Sequence, residues 1–218
     1  MIRGVVFDMD GVLFDTERIS RDSWIFTAER WGIQGIEEVY VRVIGVNHHD
    51  GVDILHDVYG ADFDCERFME DCHLKMEEML EKDGIPVKAG VRELLSYLKT
   101  NHYPVAICSS TSIPVILDHL KVTGLAEYFD QIVGGNMVKH SKPQPDIYLK
   151  ACEVLGQNPE ECLAIEDSPN GIRAASRAGL IPIMVPDLVA PTEELRQLSF
   201  RIEKDLLKVK AWLESLEQ

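Results

Sequence analysis

An apolar run ending on two acidic residues lies near the start of the chain: residues 2–11 read IRGVVFDMDG, with Asp8 and Asp10 directly after the hydrophobic part. Residues 163–168 read LAIEDS and repeat this arrangement with Glu166 and Asp167. Continuously apolar, β-branched runs of this length are typical of buried parallel strands. Ligands of open α/β sheets bind at the carboxyl ends of the strands. The two runs therefore predict one polar site at that edge, built from four acids.

Four carboxylates in one place repel one another unless a divalent cation lies between them. Oxygen ligands of this kind suit Mg²⁺, so the sequence predicts a magnesium site. The Asp-x-Asp-Gly pattern also occurs in the calcium loop of EF-hands, but a helix rather than a strand would then precede Asp8. Two surface acids at a turn are another interpretation of this motif when it is taken alone.

Composition limits the classes of function. The chain has 218 residues, enough for one large domain or a domain with a smaller insertion. A formal net charge of −15 argues against nucleic acid or an anionic membrane as the partner. No apolar run approaches the roughly 18 residues of a membrane span, and Asp8 and Asp10 interrupt any signal-peptide core. Five cysteines without a C-x-x-C pair predict reduced thiols in a cytoplasmic protein.

Strands and helices alternate along most of the chain. Strands are predicted over residues 2–8, 104–108, 131–133, 162–165 and 181–185, with an edge strand near Phe200. Helices are predicted over residues 91–100, 113–121, 145–155, 171–178 and 206–216. Residues 16–82 instead show helical spacing of apolar residues, which indicates three or four helices and no strand. The simplest architecture is an α/β, doubly wound (Rossmann-like) parallel sheet formed by residues 1–15 and 84–218, with residues 16–83 inserted as an all-helical cap.

Two further segments place polar groups after strands. Ser109, Ser110 and Thr111 follow one predicted strand, and their hydroxyl and backbone N–H groups suit a phosphate. The same residue types also cap helices, so this segment alone does not distinguish the two roles. Lys142 lies in residues 141–145, SKPQP, where prolines stiffen the loop before a helix. A single loop lysine is more often a solvated charge, but acids, hydroxyls and a lysine, each after a strand, form a set that chance seldom assembles.

Taken in order, four segments resemble the motifs of the haloacid dehalogenase superfamily: residues 8–12 (DMDGV), Ser109 with Ser110, Lys142 with Pro143, and residues 166–171 (EDSPNG). The likeness spans the whole predicted core. The helical block resembles the cap of the subgroup that contains β-phosphoglucomutase and small sugar-phosphate phosphatases. The resemblance implies a Mg²⁺-dependent phosphatase of a small phosphorylated metabolite, a sugar phosphate or a nucleotide. We expect the protein to be a monomer or weak dimer.

The resemblance also implies a role for each motif residue. Asp8 would be the nucleophile that forms an aspartyl-phosphate, and Asp10 would be the general acid and base. On an extended strand Asp10, two residues on, would lie on the same side as Asp8. Mg²⁺ would be held by Asp8, Asp10, Glu166 and Asp167. The phosphoryl oxygens would be bound by Ser109, Ser110 and Lys142.

Cap residues would select the substrate. Contacts with the leaving group are expected from Gly45, Val46 and His48, with Asn47 between them, and from Thr111 of the core. The mutase pattern has an arginine at the position of His48 and a histidine at that of Ser20, so this sequence favours hydrolysis over phosphosugar isomerisation. A mutase and a non-catalytic protein that binds a cation or a phospholigand remain the alternatives. A zinc site would need a spacing that matches no standard pattern, and its ligands would come from His48, His49, His56, Cys72 and His73.

Overall fold

A computed structural model describes residues 2–46 and 48–216. Its centre is one six-stranded sheet with the order β3-β2-β1-β4-β5-β6, in which every neighbouring pair is parallel. The strands are β1 (Gly4–Phe7), β2 (Val105–Ser109), β3 (Gln131–Gly134), β4 (Cys162–Glu166), β5 (Ile181–Met184) and β6 (Arg201–Ile202). The predicted fold class, a doubly wound parallel α/β sheet, is confirmed.

Ten α-helices lie in the described part of the chain. Four follow β1: α1 (Thr16–Trp31), α2 (Ile36–Val43), α3 (His48–Tyr59) and α4 (Cys65–Asp83). Six alternate with the later strands: α5 (Val91–Thr100), α6 (Ile113–Thr123), α7 (Asp146–Leu155), α8 (Pro169–Ala178), α9 (Glu193–Leu198) and α10 (Leu206–Ser215). Helix α9 was not predicted, because six residues are too few to display a helical period.

The two faces of the sheet bury alternate residues of each strand. Val5 and Phe7 belong to the hydrophobic cluster shared with α5, α6 and α10. Val6 points to the other face, into the cluster shared with α7 and α8. Every residue of β1, β2 and β4 is buried, which explains why these strands are continuously apolar rather than alternating.

Helices α1–α4, here called the helical insert, pack around a cluster of their own. Trp24 lies edge-on to both Tyr40 and Phe68, with ring centroids 5.4 and 5.5 Å apart. Arg18 of the insert donates to Asp187 of the loop after β5 at 2.7 Å, and this ion pair ties the insert to the sheet layer. No described helix has both the length and the apolar character that a bilayer crossing requires. All five cysteines are buried free thiols.

Candidate active site

The two acidic segments meet because β1 and β4 are neighbours in the sheet. Phe7 pairs with Ile165, and the backbone N–H of Asp8 donates to the Ile165 carbonyl at 2.9 Å. Both strands end here, so Asp8 and Asp167 emerge side by side at the carboxyl edge. A cavity of about 290 Å³ lies between this edge and the helical insert.

Most of the predicted site residues line this one cavity. They are Asp8, Asp10, Gly45, Val46, His48, Ser109, Ser110, Thr111, Lys142 and Asp167. Glu166 is the exception, because it is fully buried beneath Lys142 and does not reach the cavity wall. Asn47 lies outside the described residues.

The chain does not stay extended between the first two acids. Strand β1 ends at Phe7, and the N–H groups of Leu13 and Phe14 both donate to the Met9 carbonyl, so residues 9–14 curl into a tight loop. Gly11 makes this possible with φ of +78°, and a side chain there would overlap the carboxylate of Asp167. The expected extended geometry of the first motif is therefore wrong, yet the loop still brings Asp10 back to the cavity.

Three hydroxyl groups hold the Asp10 carboxylate. Thr16 donates to one oxygen at 2.6 Å, while Ser109 and Thr111 donate to the other at 3.3 and 3.1 Å. The Ser109 hydroxyl in turn accepts from the backbone N–H of Thr111 at 3.0 Å. Sequence reasoning missed Thr16, whose only signal was a hydroxyl in the first helical turn after the motif. Asp10 is thus oriented by groups from both the insert and the sheet edge.

Lys142 makes two ion pairs in the interior. Its Nζ lies 2.5 Å from Asp8 Oδ1 and 2.6 Å from Glu166 Oε1, and only 2% of the residue is exposed. Burial alone would lower the pKa of the ammonium group, but the two carboxylates raise it well above its usual value. Burial raises the pKa of Asp8, and Lys142 opposes that effect. Lys142 therefore stays protonated and places a fixed positive charge beside Asp8.

Both carboxylate oxygens of Glu166 accept hydrogen bonds from protein groups. Oε1 accepts from Lys142 and from the Tyr148 hydroxyl at 2.8 Å. Oε2 accepts from two backbone N–H groups, those of Asp167 and Ser168, and from the Ser168 hydroxyl at 3.0 Å. A side chain on Gly171 would overlap this carboxylate, so the following helix needs glycine there. The arrangement fixes Lys142, and direct metal ligation by Glu166 stays a prediction.

Tyr148, which sequence reasoning also missed, completes the support. Its ring is fully buried, and Lys142 Nζ lies 5.3 Å from the ring centroid. It comes from the first turn of α7, directly after the proline-flanked loop. In a sequence, a tyrosine on an apolar helix face looks like an ordinary core residue. The sequence therefore did not predict the hydrogen bond from Tyr148 to Glu166.

The Asp167 carboxyl group is buried among other acids. It is 4% exposed, and burial raises its pKa well above the usual range, as do Glu166, Asp8, Glu17 and Asp187. None of these groups carries positive charge. Within residues 2–46 and 48–216, the carboxylates of Asp8, Glu166 and Asp167 form the only group of three acids, histidines or cysteines with ligand atoms within 4.8 Å of one another. Carboxylate oxygens so placed fit a hard divalent cation such as Mg²⁺.

The histidines of the insert do not join that cluster. His48 Nε2 lies 2.9 Å from both carboxylate oxygens of Glu66, and its side chain is mostly exposed at the cavity rim. His73 pairs with Glu77 one turn along its own helix. No zinc site forms among the described residues of the insert.

A wider cleft of about 1050 Å³ adjoins the cavity between α4 and α6. The two spaces share Asp10, His48, Met76 and Thr111, so the cleft borders the space that the acids line. Its walls mix apolar groups such as Leu80 with acids and histidines.

Comparisons with known proteins agree with this geometry. The model of a family described as haloacid dehalogenase-like hydrolase matches residues 2–179. A phosphorylated carbohydrates phosphatase of Thermotoga maritima is 34% identical over 179 residues, covering 82% of each chain. Hexitol phosphatase A of Escherichia coli is 32% identical over 183 residues, covering 84% of this chain and 82% of the relative. The structure of CbbY from Rhodobacter sphaeroides in complex with phosphate superposes with a TM-score of 0.80 at 26% identity, over 96% of both chains.

Proposed function

This chain belongs to the haloacid dehalogenase-like hydrolase family, and from that premise we propose a Mg²⁺-dependent phosphatase of a small phosphorylated carbohydrate that works through an aspartyl-phosphate. The observation that carries the proposal is the junction of Asp8, Asp10, Asp167 and Lys142 on one cavity. The relatives named above act, by their names, on phosphorylated carbohydrates and hexitol phosphates. The buried free thiols are compatible with the reducing cytoplasm, which we propose as the location.

Asp8 is the proposed nucleophile. A carboxylate oxygen of Asp8 attacks phosphorus in line with the ester oxygen, so that a new P–O bond forms as the bond to the leaving alcohol breaks. Lys142, already 2.5 Å from Asp8, is placed to draw negative charge from the phosphoryl oxygens. The Ser109 and Ser110 segment, at the end of β2, supplies hydroxyl and N–H donors to the same oxygens.

Asp10 is the proposed proton carrier. It gives a proton to the departing alkoxide and then removes one from the water that hydrolyses the aspartyl-phosphate, which returns both groups to their starting states. The three hydroxyl donors that hold its carboxylate keep it beside the cavity for both steps.

Mg²⁺ is the cation that this donor set suits, with Asp8 and Asp167 as side-chain ligands and the Asp10 carbonyl as a third. When bound, it offsets the repulsion between carboxylate and phosphate, about 4 kcal/mol per charge pair at 4 Å and an effective dielectric constant of about 20. Helices α1–α4 are proposed as a cap that shields the reacting groups from bulk water.

Hydrolysis is favoured over mutase activity. Ser20 and His48 stand where the mutase pattern has histidine and arginine, and His48 is held by Glu66. A mutase must bind a second phosphate at the far end of its substrate, and this chain offers no arginine there among the described lining residues.

Turnover of an aryl phosphate tests the proposal. We expect hydrolysis with Mg²⁺ and none in EDTA, and Asp8→Asn should reduce the rate at least about a thousandfold. Acid quenching during turnover should trap one phosphoryl group on the peptide that contains Asp8. Asp62→Asn, an exposed position in the insert, is the charge-matched control.

Three outcomes would contradict the proposal. Unchanged turnover in Asp8→Asn would overturn the nucleophile assignment. Isomerised product from a hexose 1-phosphate with a hexose 1,6-bisphosphate primer would favour a mutase. Binding of phosphate without any turnover would favour the non-catalytic alternative.

A further inference from the structure

A half-buried carboxyl group, that of Glu17, faces the cavity from the insert. Glu17, in the first turn of α1, lines the cavity from the side of the insert, together with Ser20 and Tyr40. The Tyr40 hydroxyl donates to Glu17 Oε2 at 2.7 Å and lies 3.1 Å from the Glu17 carbonyl oxygen. Tyr40 itself is 3% exposed and is clamped against Trp24, so it holds one edge of the carboxylate in place.

Among the residues that the structure describes, no lysine or arginine forms an ion pair with Glu17. Burial first, and then the charges of Asp10, Asp187 and Glu166, raise its pKa, the Tyr40 hydroxyl lowers it, and together they bring it to about 7. A structural carboxylate that is partly removed from water is ordinarily paired with lysine or arginine, because burying an unpaired charge costs stability. An unpaired carboxyl group at a cavity wall can accept hydrogen bonds from a ligand. We therefore expect the ligand to supply the donors that the protein does not provide.

The surrounding charges disfavour a second anionic group beside Glu17. Among the described residues that line the cavity and the adjoining cleft, Lys142 is the only lysine or arginine. Its ammonium group is already committed to Asp8 and Glu166. A second phosphate beside Glu17 would therefore meet a carboxyl group and no cation, whereas a neutral hydroxyl group would find an acceptor.

The remaining surface suits the carbon skeleton of a polyol. Trp24, Ile44 and Val46 are among the apolar residues that line the same cavity. Small-molecule sites are mostly lined by aromatic and aliphatic side chains, and a few fixed polar groups set the orientation of the ligand. A volume of about 290 Å³ suits a leaving group of about hexose size.

From this geometry we propose that Glu17, held by Tyr40, is the specificity-determining residue of the site and accepts hydrogen bonds from the hydroxyl groups of an uncharged, polyhydroxylated leaving group. The preferred substrates are then monophosphate esters of hexose-sized polyols rather than sugar bisphosphates. This inference rests on the proposed phosphatase function and adds the class of leaving group and the residue that recognises it.

Competition between substrates tests the assignment. Values of kcat/KM are measured for a hexitol monophosphate, a hexose bisphosphate and an aryl phosphate whose leaving group lacks aliphatic hydroxyls. Wild type should prefer the hexitol monophosphate. Glu17→Gln keeps the size of the side chain but weakens its acceptor, so the ratio of hexitol phosphate to aryl phosphate kcat/KM should fall by about 10- to 100-fold. Tyr40→Phe should lower the same ratio by a smaller factor.

Two further measurements separate recognition from a merely structural effect. Free hexitol should inhibit aryl phosphate hydrolysis competitively in wild type, and its inhibition constant should rise at least about tenfold in Glu17→Gln. Glu70→Gln, an exposed glutamate of the same insert, is the matched control and should leave the ratio unchanged.

The outcomes distinguish a failure of this inference from a failure of the proposed phosphatase function. If Glu17→Gln lowers hexitol and aryl phosphate turnover by the same factor, or if wild type prefers the bisphosphate, the inference is wrong while the phosphatase function stands. If wild type hydrolyses none of the three esters with Mg²⁺, the proposed function fails and the inference falls with it.

Discussion

Replacing Asp167 by asparagine should make the metal-free protein more stable at neutral pH. The ligand oxygens of Asp8, Glu166 and Asp167 lie within 4.8 Å of one another, and at that separation two carboxylates repel by about 3.5 kcal/mol at an effective dielectric constant of about 20. Protonation limits this cost, since keeping an aspartic acid neutral at pH 7 takes about 4 kcal/mol relative to the unfolded chain. Asparagine removes both the charge repulsion and the cost of protonation. It buries an amide instead, and the unmade hydrogen bonds of that amide lower the free energy of unfolding by about 1–3 kcal/mol.

The expected net gain is about 1–3 kcal/mol in EDTA at about pH 7.5, a rise in Tm of roughly 2–12 °C for a chain of this size. The sign follows from the direction of the pKa shift. The pKa of Asp167 is raised by folding, so the folded wild type holds this proton more tightly than the unfolded chain. Its metal-free stability therefore falls as pH rises from about 4 towards the raised pKa. The advantage of Asp167→Asn should shrink by about pH 5.

Thermal unfolding followed by circular dichroism measures both effects. Wild type should be stabilised by Mg²⁺, by about 2.7 kcal/mol at a hundredfold excess over Kd, whereas Asp167→Asn should lose this shift. Asp62→Asn changes the net charge equally at an exposed site and should behave as wild type in both buffers. An Asp167→Asn protein that is less stable than wild type in EDTA and still gains stability from Mg²⁺ would refute the reasoning.

Three other substitutions probe the support of the site. Lys142→Met leaves two buried carboxylates without their cation and should lower the free energy of unfolding by about 3–5 kcal/mol in urea titrations; a loss under about 1 kcal/mol would contradict the ion-pair geometry. Gly171→Ala should lower both Tm and phosphatase activity because its methyl group overlaps Glu166, whereas Gly51→Ala in another helix should keep its Tm, since the nearest atom lies 3.5 Å away. Tyr148→Phe should cost about 1.5–3 kcal/mol by removing a buried hydrogen bond to a carboxylate, and equal urea midpoints for variant and wild type would count against that bond.

The strands were predictable because burial on both faces leaves an unmistakable apolar run. Residues 105–109 and 162–166 are buried throughout, and helix periods between the strands indicated the parallel sheet. Helix α9 escaped because its single buried residue, Leu195, makes no periodic pattern. The conformation of residues 9–14 escaped because a local pattern of acids does not reveal that both Leu13 and Phe14 bond back to Met9.

The acids and the lysine of the site were predictable for two reasons. Binding a cation and a phosphate requires these residue types, and ligands of open α/β sheets bind where the strands end. The supports of these residues were not predictable, since each depends on a partner distant in the chain. Tyr148 meets Glu166 across 18 residues, and Tyr40 meets Glu17 across 23 residues. Phenolic hydroxyls of this kind are indistinguishable in a sequence from ordinary core tyrosines.

By itself, the amino-acid sequence determined which segments become strands, where the carboxylates and the lysine stand along the chain, and the chemistry that they can perform. Those properties are local, because they depend on side-chain type and on spacing within one element. Only the tertiary structure decided that Glu166 turns inward to fix Lys142 while Asp167 faces the cavity, and that Glu17 lines the same cavity from the insert. Orientation and burial are set by neighbouring elements, and the electrostatic cost of a charge depends on what those neighbours place around it.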